Sequence, residues 1–366
     1  MARTLKSDKV LFSAILLLVG LGVVMVYSAS AVLALERYQQ PYFFLAKQAA
    51  WAIVGLAVMA VAMRVDYRRY RQPVVLWTTL AFVGLALVAV LFRAPVNNAR
   101  RWFGVGGFGI QPSELAKLTA IFFIAALLER RRQRVNDFSY AVLPVAIVVG
   151  LLVALILLEP DFGTAIVLAV IAATLVFAAG LNYAYFIAGG MLALPPVIFL
   201  ILSSDYRLRR VTTFLNPWRD PLGDGFQVTQ SLIAVGTGGT FGRGLMQGVQ
   251  KLFYLPEPHT DFIYSVIAEE LGLIGAVMVL LCFGVIGWRG LRISLRAPDA
   301  FGSYVALGLT TMVTVQALVN VSVVLSLLPT KGIPLPLVSA GGSSLLMNLL
   351  GMGVLLNVSQ HASHKA

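Results

Sequence analysis

Leu255-Pro256-Glu257-Pro258-His259-Thr260-Asp261 runs directly into 27 mostly apolar residues, Phe262 to Trp288. A bilayer is crossed by roughly 20 apolar residues in a helix. This junction therefore sets the fold class, a membrane helix with an acid, Asp261, on its lip. A carboxylate at such a boundary is half desolvated, which raises its pKa and makes it a better base than one in bulk water. Two readings stay open on position alone. Asp261 caps the orphan amides of the helix start, or it serves as a base where a lipid-linked substrate would meet it.

The rest of the chain agrees with a membrane class. Of 366 residues, 59% are hydrophobic and only 12% charged, with a mean hydropathy of +0.86. Soluble domains carry about 25% charged residues. Ten segments are long and apolar enough, or nearly so, to span: 10–35, 43–63, 74–92, 112–128, 140–158, 163–180, 183–203, 262–288, 303–326 and 342–357. The expected fold is an all-α polytopic bundle of about ten helices, one domain over 1–366, with a large loop at 204–261 between helices seven and eight.

An even count puts both termini on one side. That side holds Arg3, Lys6, Lys9, Arg64, Arg68, Arg69, Arg71, Arg130, Arg131, Arg132, Arg134, Arg289, Arg292, Arg296 and Lys365, against Arg37, Arg93, Arg100, Arg101 and Lys331 in the opposite short loops. Positive charge stays inside, so the termini are expected in the cytoplasm and 204–261 outside. Ser28-Ala29-Ser30-Ala31 resembles a signal-peptide cleavage site, but the apolar run continues and cleavage would break the parity. The net charge of +12 is mostly cytoplasmic loop charge, explained by topology and anionic lipid without nucleic acid. The single Cys282 gives no disulfide framework.

Further features bear on chemistry. The outer loops hold Arg93, Arg100, Arg101, Arg207, Arg209, Arg210, Arg219, Arg243, Lys251 and Lys331, against the usual bias. Such groups bind phosphate oxygens near a low-dielectric boundary; the bland alternative is a solvated loop. Pro112 suits the first turn of helix four. Glu114 and Lys117 then share a face one turn in, as an ion pair or a polar cavity wall. Lys47, near the outer end of helix two, is another buried cation or snorkels to water. Asp261, Ser265 and Glu269 fall on one face of helix eight, with structural hydrogen bonding favoured for at least one of Glu269 and Glu270, and His259 either tunes Asp261 or is an incidental loop histidine. The cluster Gly236 to Gly244 lacks the strand and Lys-Ser pair of a P-loop and reads as a flexible turn over the site. Phe226 to Val235 reads as a short interfacial helix. Pro195-Pro196 predicts a kink or break in helix seven. Glu159-Pro160-Asp161 is an outer turn whose acids orient loop arginines.

Together, five stretches resemble the SEDS family (shape, elongation, division and sporulation proteins), which includes FtsW, RodA and SpoVE. They are Asn98-Ala99-Arg100-Arg101-Trp102, Gln111 to Lys117, Glu159 to Ala165, Leu255 to Gly272 and Pro336 to Ser344. The resemblance covers nearly the whole chain. Leu328-Pro329-Thr330-Lys331-Gly332 and Tyr254 to Asp261 look closer to FtsW than to RodA. Two departures are visible: Ala340 stands where the family has Tyr before the glycine pair, and the tails are short.

The resemblance implies a peptidoglycan glycosyltransferase that polymerises lipid II at the outer face of the bacterial cytoplasmic membrane, in division. Asp261 matches the family's essential aspartate and would act as base. Arg101 and Lys117 would stabilise the departing undecaprenyl pyrophosphate; Glu114, Lys47, Lys331, Ser343 and His259 are the other candidate substrate contacts. The implied partners are lipid II, the lipid-linked glycan, a class B penicillin-binding protein and other divisome proteins. A divalent cation, Mg or Mn, bridging the pyrophosphate is compatible with this chemistry, though no ligand set demands one. The competing readings are a lipid II flippase, which wants polar groups along a whole transmembrane path, and a non-catalytic division scaffold.

Overall fold

A computed structural model describes residues 7–94, 100–105 and 108–362. Arg3, Lys6 and Lys365 of the charge count, and Asn98-Ala99 of the first family stretch, lie outside the described residues. The chain is mostly helical: α1 Lys9–Tyr38, α2 Phe43–Ala62, α3 Pro73–Val90, α4 Pro112–Arg131, α5 Leu143–Leu158, α6 Phe162–Ala178, α7 Tyr183–Leu202, α8 Asp205–Leu215, α9 Phe226–Gly238, α10 Ile263–Arg296, α11 Ala300–Val324 and α12 Gly342–His361. Among the described residues, seven helices are long and apolar enough to cross a membrane.

Local chemistry starts these helices where the sequence places them. Asp8, Asp161, Asn182 and Asp299 accept from backbone amides in the first turns of α1, α6, α7 and α11, and Pro73 and Pro112 open α3 and α4, where a missing N–H costs nothing. Packing then sorts them. α4 is buried on most sides, against α3, α6 and α11, while α2 lies along α12 and α10 along α1 and α11. Apolar side chains such as Phe82, Leu85, Ile187 and Phe199 face outward, as helices solvated by lipid require.

Four expectations are corrected. First, α7 is one continuous helix through Pro195 and Pro196. Each proline removes a donor, but its fixed φ is itself helical, and both prolines sit at the exposed surface. Second, the fold is not purely helical. A hairpin, β1 Phe103–Val105 with β2 Phe108–Ile110, pairs Gly104 opposite Gly109 before α4. Third, the helix expected over Phe226 to Val235 runs on to Gly238 as α9 and packs against α10 and α11, and a second helix, α8, precedes it in the loop.

The fourth correction matters most for the site. The helix after Asp261 is interrupted, and the glycine cluster is no loose turn. In an unbroken helix Leu273 N would donate to Glu269 O and Ile274 N to Glu270 O. Gly272 has φ 66° and ψ −166°, a conformation essentially confined to glycine, and the ladder opens there. Leu273 N donates instead to Gly239 O at 2.9 Å and Ile274 N to Thr240 O at 3.3 Å. The freed Glu269 and Glu270 carbonyls accept from Arg243 N and Gly244 N, each at 3.0 Å. The segment after α9 is thus threaded into the broken helix with every donor and acceptor exchanged, which an apolar surrounding demands.

A Cβ on residue 272 would sit 2.3 Å from Gly242 N, besides requiring the forbidden dihedrals. Gly272→Ala is expected to destabilise the protein by about 2 kcal/mol or more, read as a lowered thermal midpoint in detergent. Gly284→Ala on the same helix, where the added methyl meets open space, is expected to leave the midpoint unchanged.

Candidate functional site

Asp261 is not a helix cap. α10 begins at Ile263, and its cap residue is Phe262, with no side-chain cap bond. The backbone around Asp261 is pinned instead from two other elements. Asn320, near the end of α11, donates to Asp261 O at 2.8 Å and to Ile333 O at 2.7 Å. In the segment before α12, Ser339 Oγ donates to Thr260 O at 2.6 Å and Ala340 N to His259 O at 2.9 Å. The same segment reaches into the bundle, since Gln48, in the second turn of α2, donates to Ser339 O at 3.3 Å.

The Asp261 carboxylate makes no hydrogen bond among the described residues, and it lies against Gly332. Burial, reinforced by Glu257, pushes its pKa up to about 7 against the pull of Arg101 and Arg210. A carboxylate with free lone pairs that titrates near neutrality is suited to taking a proton.

Cations from three elements cluster on this side of the bundle, and two of them, Arg101 and Arg210, act on Asp261 directly. Arg101 enters from beside the hairpin, with Nε on Glu159 O at 3.1 Å, Nη2 on Pro160 O at 2.7 Å and Nη1 4.0 Å from Asp161 Oδ1. Asp161 caps α6 and accepts from Thr164 Oγ1 at 2.9 Å and Gln111 Nε2 at 3.0 Å. From α8, Arg210 donates to Thr330 O at 2.8 Å, and Arg207 lies 4.7 Å from the centre of the Phe162 ring. Lys331 Nζ packs on the same ring at 5.1 Å. Burial holds Lys331 down to about 8, with Asp161 opposing and Arg210 and Arg207 adding.

This arrangement joins a neutral-range base to a set of cations at one end of a membrane bundle. A family model described as cell cycle protein, covering FtsW, RodA and SpoVE, matches residues 8–364. The chain belongs to the SEDS family. Stage V sporulation protein E of Bacillus subtilis is 44% identical over 98% of both chains. A probable peptidoglycan glycosyltransferase FtsW of Geobacter sp. (strain M18) is 42% identical, also over 98% of both. Among solved structures, a chain from work on the structural coordination of polymerization and crosslinking by a peptidoglycan synthase complex superposes with TM-score 0.79 at 32% identity, covering 97% of this chain and 98% of that one. Rod shape determining protein RodA of Thermus thermophilus gives TM-score 0.73 at 27% identity over 99% of each. With its apolar helices and this membership, the SEDS protein is a multi-pass protein of the bacterial cytoplasmic membrane.

The structure separates the candidate residues of this SEDS protein into layers. Asp261, Arg101 and Lys331 lie in one electrostatic cluster. His259 is buried beside it, its ring 4.7 Å from Phe44 and its Nδ1 without a partner; burial holds its pKa down. Glu114 and Lys117 form a closed ion pair at 2.9 Å, with Lys117 also bonded to Gln316 Oε1 at 3.0 Å. Both are almost fully buried. Gln316 Nε2 donates to Pro334 O at 3.4 Å, so the pair is a strut beneath the segment that pins Asp261. Ser343 is buried too, accepting from Gln111 N at 3.0 Å and tying α12 to α4. Lys47 is half-buried and makes no hydrogen bond or ion pair among the described residues.

Sequence reading named Arg207 and Arg210 only among the outer cations. Their three-residue spacing on a short amphipathic run was the available signal, since it puts both on one helical face. Glu159 was read as orienting an arginine; Arg101 binds its carbonyl, while its buried carboxyl oxygens lack partners. Burial and then Asp161 push that carboxyl up to about 8. Among the described residues no three His, Cys, Asp or Glu side chains come together to hold a metal ion.

Removing one partner of a buried pair strands the other charge. Lys117→Met is expected to cost about 3–5 kcal/mol of stability, and Lys117→Met with Glu114→Gln to recover most of it. Thermal unfolding of the purified variants in detergent checks both.

Proposed function

We propose that this protein is a peptidoglycan glycosyltransferase that polymerises lipid II into glycan strands at the outer face of the cytoplasmic membrane, serving cell division. The carrying observation is Asp261, a carboxylate with no hydrogen bond among the described residues, pushed up to about 7 beside Arg101 and Arg210, with Lys331 and Arg207 joined to that cluster through Arg210 and the Phe162 ring. Relatives 42–44% identical over more than nine-tenths of the chain carry the name probable peptidoglycan glycosyltransferase FtsW, and this supports the activity. The FtsW name of these relatives supports the division-type role.

The reaction is a direct displacement. The acceptor GlcNAc 4-hydroxyl oxygen attacks the donor's anomeric carbon, and its proton passes to Asp261. The bond from that carbon to the pyrophosphate oxygen breaks, with inversion, and undecaprenyl pyrophosphate leaves. Charge develops on the leaving phosphates, where Arg101, Lys331 and the α8 arginines stabilise it. One base suffices, unlike the paired carboxylates of retaining glycosidases.

In this reading α1–α7 and α10–α12 are the ten spans, with both termini in the cytoplasm and residues 204–261 on the outer side. The excess of Arg and Lys in the loops on the terminal side supports that orientation. A class B penicillin-binding protein is the partner that crosslinks the product, and other divisome proteins join it. The likeness to a chain from a peptidoglycan synthase complex that couples polymerization and crosslinking supports that pairing.

The test is lipid II polymerisation by the purified protein with its co-expressed penicillin-binding partner. Asp261→Asn is expected to lower the rate 10²-fold or more, the usual contribution of a general base. Equal strand yield from both proteins would remove Asp261 as the base.

A pH profile follows from the two shifted groups. The base must be ionised, so the rate falls about tenfold per unit below the Asp261 pKa of about 7. Lys331 must be protonated to hold phosphate, so affinity declines above about 8. The expected kcat/KM profile is a bell with its maximum between those limbs, and Lys331→Arg should extend the alkaline limb.

A further inference from the structure

Glu269 and Glu270 lie two turns into α10, both fully buried, and the displacement chemistry uses neither. Their carbonyls accept the threaded segment through Arg243 N and Gly244 N. Their carboxylates grip the same segment further along. Glu269 Oε1 accepts from Val249 N at 2.8 Å and Gln250 N at 3.3 Å, and Arg243 Nη1 stands 3.9 Å away. Glu270 Oε2 accepts from Met246 N at 2.9 Å. Glu270 Oε1 meets Lys251 Nζ at 2.6 Å, and Ser28 Oγ of α1 bridges the two at 2.7 Å and 2.9 Å. Lys251 is itself buried.

These contacts have a direction. Two consecutive glutamates take the donors of residues 243–251, and the next ten residues end at Asp261. Leu255 N donates to Gln250 O at 2.8 Å, and Leu255 is buried, so the stretch past the grip is turned back and seated rather than loose. The other end of that stretch is held by Asn320, Ser339 and Ala340. A charged pair is a costly way to seat a loop in an apolar bundle, because hydrophobic residues of similar volume would often be as stable. Its gain is a fixed register.

We propose that Lys251, Glu270 and Ser28, with Glu269, form a positioning latch that sets the register of the loop carrying Asp261 and keeps that carboxylate desolvated. The latch touches no substrate. The proposal rests on the reading of Asp261 as the base of the polymerase.

The test uses the full-length protein with its penicillin-binding partner and lipid II, comparing wild type, Asp261→Asn, Lys251→Met and the double variant Lys251→Met/Glu270→Gln. In Lys251→Met the buried Glu270 loses its cation, and the loop that leads to Asp261 loosens. Expected are a kcat lowered at least tenfold and a KM for lipid II within about twofold of wild type. The acid limb of the profile moves to lower pH, because water admitted around Asp261 favours its ionised form. The charged groups facing Asp261, namely Glu257, Asp161, Arg101 and Arg210, are unchanged in every latch variant. The double variant, with no stranded charge, is expected between wild type and Lys251→Met in kcat.

A merely structural role would lower the yield of folded complex and leave kcat per folded molecule and the limb where they were; that result overturns the proposal. If Lys251→Met alone gives no folded protein, the double variant decides. Wild-type kcat and limb sink the latch, and a reduced kcat with a displaced limb supports it. Inactive wild type would refute the polymerase reading itself. Active wild type with inactive Asp261→Asn leaves the latch as the only question.

Discussion

Backbone amides and carbonyls in a membrane bundle have no water to turn to, and the break at Gly272 makes that constraint visible. Opening the α10 ladder frees two donors and two acceptors inside apolar surroundings, each costing several kcal/mol if left bare. The segment after α9 supplies two carbonyls and two amides in their place. The repair fixes where that segment lies and, through it, the approach of the chain to Asp261. Glycine at 272 and 242 is the steric condition for the exchange, because side chains there would meet backbone at little more than 2 Å.

The charges follow from the same constraint. Deep in the bundle every carboxylate or ammonium faces a counter-charge or donor: Glu114 with Lys117, Glu270 with Lys251 and Ser28, Glu269 with two amides and Arg243. At the loop end of the bundle the balance is left open. Asp261 has its backbone carbonyl held by Asn320, while among the described residues its carboxylate accepts no hydrogen bond. An unpaired acid in a desolvated position binds a proton more tightly than in water, and a cluster of cations beside it favours anionic phosphate. The first property comes from leaving the Asp261 carboxylate without a donor where a substrate hydroxyl can supply one.

Much of this was legible in the residues. The helix positions followed from apolar length and agree with the structure to within a few residues for most segments. Pro112 opened α4 as its missing N–H predicts, and Glu114 and Lys117 paired as their spacing requires. The hairpin at 103–110 was not legible, being two three-residue strands with glycine in each. The break in α10 was signalled only by Gly272 after two consecutive acids inside an apolar run, a pattern that hydropathy averages away. Pro195-Pro196 pointed the other way, towards an interruption that helical φ did not require.

Composition and order alone determined the membrane class, the helix starts, the family and the acid at the head of α10, because each rests on local chemistry: transfer of apolar surface, capping, proline geometry and contiguous motifs. Tertiary structure decided which cations face Asp261, that Ser343 and the Glu114–Lys117 pair lie beneath the site rather than open to it, and that residues 239–251 are threaded into a broken helix. Those outcomes depend on contacts between residues tens to hundreds of positions apart. Pairing across such distances is set by which buried donors and acceptors can reach each other once the helices have packed.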